Sequence, residues 1–205
     1  ESKIPVDGDS SAAAAATLGS ISRNSSRLTD VIIDAVGSGL FGDRVAYKIS
    51  GAYHQGDDWE FVDPAEPDSI TLALSSPDGL ILQGEPTPNI RDFTADKLTG
   101  DTRLDFKISD DLTAILAGGF SRFNELSITG IGYYQIENWT TSYLQGRLIY
   151  KDLFAQAFIN RSNAGDTFNL RTGELVVDRS IQFVSQVQHA TTLFEGRQHF
   201  TYGLD

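Results

Sequence analysis

The chain has 205 residues, 28 acids against 16 bases for a net charge of −12, and no Cys. The acidic balance argues against a nucleic-acid partner, which needs a basic face, and the lack of Cys excludes disulfides, thiol catalysis and Cys-ligated metal centres. No apolar run is long enough for a membrane-spanning helix, although the strands of a transmembrane barrel would hide their hydrophobicity in alternation.

Residues 1–16 carry no pattern that places them, and the Ala12–Ala16 run is too short and lacks the basic flank of a signal peptide. With no Met, even at position 1, and a last stretch that stops inside a strand-like run, the chain reads as a fragment, truncated at its C-terminal end. From residue 17 onward a period of two dominates. Weak alternation at 17–23 and 31–40 leads into 44–54, where Val45, Tyr47, Ile49, Gly51 and Tyr53 alternate with Ala46, Lys48, Ser50, Ala52 and His54.

The clearest strand is 97–108. Lys97, Thr99, Asp101, Arg103, Asp105 and Lys107 make one face; Leu98, Gly100, Thr102, Leu104, Phe106 and Ile108 make the other. The pattern returns at 113–123, 140–151, 153–162, 181–193 and 200–205. This predicts an all-β chain of about nine strands and no helix.

Turn chemistry punctuates these runs at 41–43, 109–111, 151–152 and 194–197. The connections between those turns are long: 55–92, 124–138 and 161–180. Strand, tight turn, strand, long loop is the order of an antiparallel meander with short turns at one end, as in outer-membrane barrels. Several runs also reach the 9–11 residues, on the order of a tilted spanning strand. The aromatics Phe41, Tyr150, Phe154 and Phe194 beside the turns suit a headgroup-level girdle.

The loop 55–92 holds every proline but Pro5, together with Trp59 and nine acids. Loops of that length on a rigid scaffold bind or gate. At its entrance His54, Asp57, Asp58 and Trp59 are the candidate ligand-binding residues, while an ordinary loop shielding the barrel mouth is the competing reading. Within it, apolar runs at 70–74 and 80–82 flank Pro77-Asp-Gly79, a hairpin signal. The acid pairs Asp57-Asp58 and Asp110-Asp111 are adjacent on the chain, so turn chemistry explains them better than paired catalytic carboxylates. No Gly-x-Ser-x-Gly elbow is present. Nothing points to a catalytic, metal or cofactor site, so neither an enzyme nor a cofactor is expected.

Leu40-Phe-Gly-Asp-Arg-Val-Ala-Tyr-Lys-Ile-Ser-Gly51 followed by Asp57-Asp-Trp-Glu60 resembles the early barrel of TonB-dependent outer-membrane receptors. Gly100-Asp-Thr-Arg-Leu-Asp-Phe106, continuing through Lys107-Ile-Ser-Asp-Asp-Leu112, is similar to the same family, as are Gln186-Val-Gln-His189 and Phe200-Thr-Tyr-Gly-Leu-Asp205. The resemblance implies that 17–205 form about nine strands of a larger barrel, one of 22 strands or so with a plugged lumen. It also implies a location in the outer membrane of a Gram-negative bacterium, lipid around the barrel, and active uptake of a siderophore, cobalamin or oligosaccharide. Energy would come from the TonB complex through a plug domain not read in these residues. A passive porin or barrel enzyme, and a soluble β-rich binding protein, are the alternative expectations.

Overall fold

A computed structural model describes residues 11–205 apart from positions 24, 25, 59, 62, 65, 67, 68, 77, 78, 87–90, 131 and 195, with the backbone alone at 11–30 and 69–86. Among the described residues twelve strands are formed: β1 Ser11–Arg23, β2 Ser26–Phe41, β3 Val45–Asp57, β4 Ser69–Ser76, β5 Gly79–Pro86, β6 Thr94–Lys107, β7 Leu112–Thr129, β8 Gly132–Tyr150, β9 Leu153–Asn163, β10 Phe168–Asn169, β11 Ile181–Leu193 and β12 Gln198–Leu204. Nine of them run in the order β1-β2-β3-β6-β7-β8-β9-β11-β12. Every neighbouring pair is antiparallel. The expected all-β meander of about nine strands is therefore what the chain forms. The sheet does not close, and β1 and β12 are its two edges.

Four tight turns, after β2, β6, β8 and β11, stand at one end of the sheet. Gly42 (φ 64°) and Lys151 (φ 50°) adopt the left-handed conformation that such reversals require. Glycine takes that conformation freely, whereas Lys151 is held in it by the ladder closing at Tyr150↔Leu153.

The opposite end differs from the sequence expectation. Residues 124–138 are not a loop: β7 and β8 continue as a hairpin arm to Thr129↔Gly132. A bulge hides this in the sequence. Glu137 and Asn138 stand opposite the single Asn124, so the alternation changes phase where the arm begins. The bulge is fixed locally, for Asn138 donates its backbone N–H to Asn124 Oδ1 at 2.6 Å and sits at φ 54°. β1 and β2 likewise meet across two residues at this end, Arg23↔Ser26, and β1 begins at Ser11 rather than at 17. Long connections thus lie at one end only, but that end also carries two short ones. Inside the 55–92 loop, β4 and β5 pair from Ser69↔Pro86 to Ser76↔Gly79, the hairpin expected around Pro77-Asp-Gly79.

Register places the side chains of β2 to β12 on two unlike faces. Tyr47, Leu104, Leu116 and Ala157 share one face, as do Ile49, Thr102, Leu144, Ile159 and Phe183. Lys48, Arg103, Ala117 and Gln145 share the other. The apolar face is left uncovered: Ile49 is 56% exposed, Leu144 53% and Phe183 68%, and the polar face is open too, with Lys48, Lys97, Asp101 and Lys107 exposed. On the polar face Asp105 is only 9% exposed. Aromatic rings of the apolar face lie over glycines of the neighbouring strand, Tyr47 over Gly39 and Phe120 over Gly100, where a Cβ would stand 2.9 and 2.7 Å from the ring.

The buried cluster lies in neither face of the main sheet. Leu126 of the arm packs with Phe168 and Leu170, which are 1% and 0% exposed. Phe61, Phe93, Tyr133 and Leu175 close around them. This cap joins the 58–93 connection, the arm and the 164–180 connection into one small core at the long-loop end. β10 is part of it, pairing with the far end of β8 through Phe168↔Gln135.

Candidate functional site

Two regions hold chemistry: the rim at the end of β3, where the sequence placed its candidates, and the polar face below it. At the rim, His54 ends the polar stripe of β3, opposite Ile32 and Lys97. Its Nε2 is 3.2 Å from Asp34 Oδ1, and both side chains are half exposed. Asp57 is opposite Thr94, and Asp58 donates its backbone N–H to Phe93 O at 2.7 Å. Strand alternation puts His54 and Asp57 on different faces, so the four candidates do not converge on one point. Trp59 lies outside the described residues. Among the described residues no group of three or more His, Asp or Glu stands close enough to hold a metal ion.

Directly above this rim is a second arrangement that the sequence did not disclose. The Arg91 guanidinium lies 4.7 Å from the Phe61 ring centre, 5.7 Å from that of Phe93 and 5.6 Å from that of Tyr133. It donates to the Phe61 carbonyl and pairs with Glu66, both partners almost fully buried. Burial pushes the Glu66 carboxyl above the ordinary range; Arg91 and Arg171 oppose that and Asp63 adds to it. Arg171 from the 164–180 connection in turn holds Asp63 at 2.9 Å. Asp92 N–H donates to the buried Gln135 Oε1 at 2.9 Å. These are ties between the long connections and the arm. They leave the Arg91 side chain almost fully buried.

The polar face offers space instead. An open hollow of about 420 Å³ is lined by Thr99, Asp101, Thr141, Tyr143, Asn160 and Gln182. A second of about 340 Å³ adjoins it at Lys48, Arg103, Gln145 and Arg147. Residues from β6, β7, β8, β9 and β11 line the first hollow together.

Charge is unevenly spread across this face. The β3 and β6 side carries Lys48, Asp101, Arg103 and Asp105, with Arg103 donating twice to Asp105 at 2.9 and 2.7 Å. The β8 to β11 side is a ladder of amides. Gln145 donates to Gln156 at 3.4 Å, Gln156 to Gln186 at 2.9 Å, and Asn160 to Gln182 at 3.3 Å. Above them Trp139 stacks on Phe123 at 6.2 Å and donates Nε1–H to Ser162, which donates to Asp178 at 2.6 Å. The surface therefore presents paired donors and acceptors to a solute or to another segment. Alternation in 140–151 and, blurred by Phe154 and Phe158, in 153–162 carried the signal for this face; the pairing that aligns the amides into a ladder is set by register alone.

No family model, curated protein or solved structure matches the chain.

Proposed function

We propose that this chain is part of the wall of an outer-membrane β-barrel and that its apolar face meets lipid. The observation that carries the reading is a broad apolar face with nothing packed on it. Ile49, Leu116, Leu144, Phe183 and Val187 are exposed on that one face, while hydroxyls, amides and charges line the hollows of the other. A water-soluble sandwich buries the apolar face under a second layer, and a patch this broad marks a protein or membrane contact. Among the described residues no element covers it. Strands of 13 to 19 residues in β3, β6, β7, β8 and β11 are long enough to span with tilt and still project beyond the bilayer.

Within that class we read the chain as the barrel portion of a TonB-dependent receptor for a scarce nutrient, its long connections outermost. The support is the sequence resemblance, whose segments coincide with the β2–β3, β6–β7 and β11–β12 hairpins. A passive porin would share the uncovered apolar face but not the resemblance.

Refolding the 205-residue chain with and without detergent tests the barrel. The expectation is aggregation in buffer, because two open edges and an apolar face are left in water, and a β-rich species in detergent micelles or vesicles. A soluble, cooperatively unfolding monomer without detergent overturns it. Uptake is tested separately by deleting the gene and comparing growth on siderophore iron, cobalamin or oligosaccharide with and without a working TonB protein. Growth that is unchanged in every condition overturns the receptor reading and leaves the barrel standing.

A further inference from the structure

We propose that Arg122, Arg161 and Arg179 form a site on the outer border of the apolar face for the phosphate of an anionic lipid headgroup. The inference rests on the barrel reading above and adds a partner to it. Arg122 is opposite Leu98 on one side and Thr140 on the other, and Thr140 is opposite Asn163. Arg161 is opposite Ser142 and Ile181. The β9–β11 ladder continues past Ile181, with Ser162 N–H donating to Ser180 O and Ala164 N–H to Asp178 O, both at 3.0 Å. Arg179 therefore stands opposite Asn163. All three arginines share the face of Leu98, Phe120, Leu144 and Phe183, and all three are exposed.

Their position along the strands matters as much as their face. Below them, from β3 to β11, that face carries no Asp, Glu, Lys or Arg in the rows of Ile49–Phe183, Tyr47–Ser185 and Val45–Val187. From Leu112 beside the tight turn to Arg122 the strand rises roughly 33 Å, or roughly 23 Å along the axis of a barrel tilted by 45°. That is close to the height of a barrel's apolar band, about 25 Å. The three guanidiniums thus sit where acyl chain gives way to headgroup, with stems that can lie on apolar surface and heads that reach phosphate.

Net charge sharpens the point. The chain is −12 overall with 16 bases in all, yet three of those bases gather on this border. Among the described residues one ion pair engages them: Asp96, whose Oδ1 is 3.9 Å from Arg122 Nη2. Arg161 and Arg179 are correspondingly the stronger contributors. Thr140 and Asn163 lie between Arg122 and Arg179 in one row, Ser142 is beside Arg161 in the next, and the three add hydroxyl and amide donors to a headgroup held there.

Native mass spectrometry of the refolded 205-residue chain in micelles tests this, with short-chain phosphatidylglycerol and phosphatidylcholine as probes. Phosphatidylglycerol should be retained in preference, and each Arg→Gln change should lower its affinity about fivefold, on the order of a hundredfold for all three. Arg161→Lys with Arg179→Lys should keep most of the preference, and Lys97→Gln on the polar face should keep all of it. Equal retention of both lipids by the wild type overturns the site while leaving the barrel intact. So does full displacement by excess inorganic phosphate, which would make it a plain anion site. A chain that is monomeric without detergent overturns the barrel reading and this site with it.

Discussion

Tyr143 on β8 reaches across β7 and donates its hydroxyl to Asp101 on β6 at 2.9 Å. The strand it crosses carries Gly119 at that point, the residue opposite both Asp101 and Tyr143. A Cβ there would stand 2.7 Å from the Tyr143 ring and 2.8 Å from the Gly100 carbonyl, and would also meet the Asp101 carboxylate. Three strands are tied in one row on the polar face because the middle one has no side chain.

Gly119→Ala should therefore destabilise the sheet by about 1–3 kcal/mol, the usual cost of overpacking against backbone. Tyr143→Phe keeps the ring and removes one hydrogen bond, for about 0.5–1.5 kcal/mol. Urea unfolding of both variants in the same micelles ranks them. If Gly119→Ala is the milder of the two, the row is looser than described.

Leu104 and Asp105 are chain neighbours on opposite faces, Leu104 in the row of Tyr47 and Leu116, Asp105 in that of Ala46 and Ile115. A spin label at 104 in the vesicle-inserted protein should be quenched by a lipid-soluble reagent, and a label at 105 should not. Equal accessibility, or the reverse order, contradicts the assignment of lipid to the apolar face. Leu104→Arg should cost up to about 2–4 kcal/mol, the range for a cation on a barrel's lipid face.

Arg91→Ala removes one partner of an almost fully buried pair and empties the space between Phe61, Phe93 and Tyr133. The expected cost is about 3–5 kcal/mol. It should fall on the cap rather than on the main sheet. Hydrogen exchange separates the two: the Leu170 and Val176 amides, which donate to Tyr133 O and Thr167 O, should lose protection, while amides of β6 within the sheet should not. Uniform loss across both would mean the cap and the sheet unfold together.

The same cap should tighten in mild acid. Burial raises the Glu66 carboxyl, and burial together with the charges of Asp166 and Asp92 raises that of Glu137. A raised acid binds its proton more readily in the folded state. Stability from these two groups is then complete below the ordinary glutamate value of about 4.3 and is lost as pH rises through the raised values. Asp178 is shifted the other way by hydrogen bonds from Ser162 and Ser180. Its contribution is present above the ordinary aspartate value of about 3.9 and is lost only as pH falls through its lowered one. Protection of the Leu170 amide, corrected for intrinsic exchange, should be greater at pH about 5 than at about 7, and Glu66→Gln with Glu137→Gln should flatten the difference.

Much of the sheet was legible from the chain. Alternation in 44–54, 97–108 and 140–151 assigned strands and faces correctly because a pleated backbone turns successive side chains to opposite sides whatever surrounds it. Gly42, the Ser109-Asp-Asp111 acids and Lys151-Asp152 marked reversals for an equally local reason. The arm at 124–138 was missed because the bulge at Asn124 changes the phase of that alternation, and a break in period looks like a loop.

Sequence alone thus determined most strands of the main sheet and the composition of each face, since both depend on neighbours within a few residues, and the spacing of its turns pointed to the meander. The cap and the rows depended on distant ones. Arg91 finds Glu66 across 25 positions and Phe61 across 30, Asp101 finds Tyr143 across 42, and Asp63 finds Arg171 across 108. Only the tertiary structure decided those pairings, because register is set by the whole sheet and a buried cation or carboxylate is tolerable only where several connections close around it at once. It likewise carried β3 on to Asp57, so that His54 and Asp57, three residues apart and inviting as a pair, fall on opposite faces.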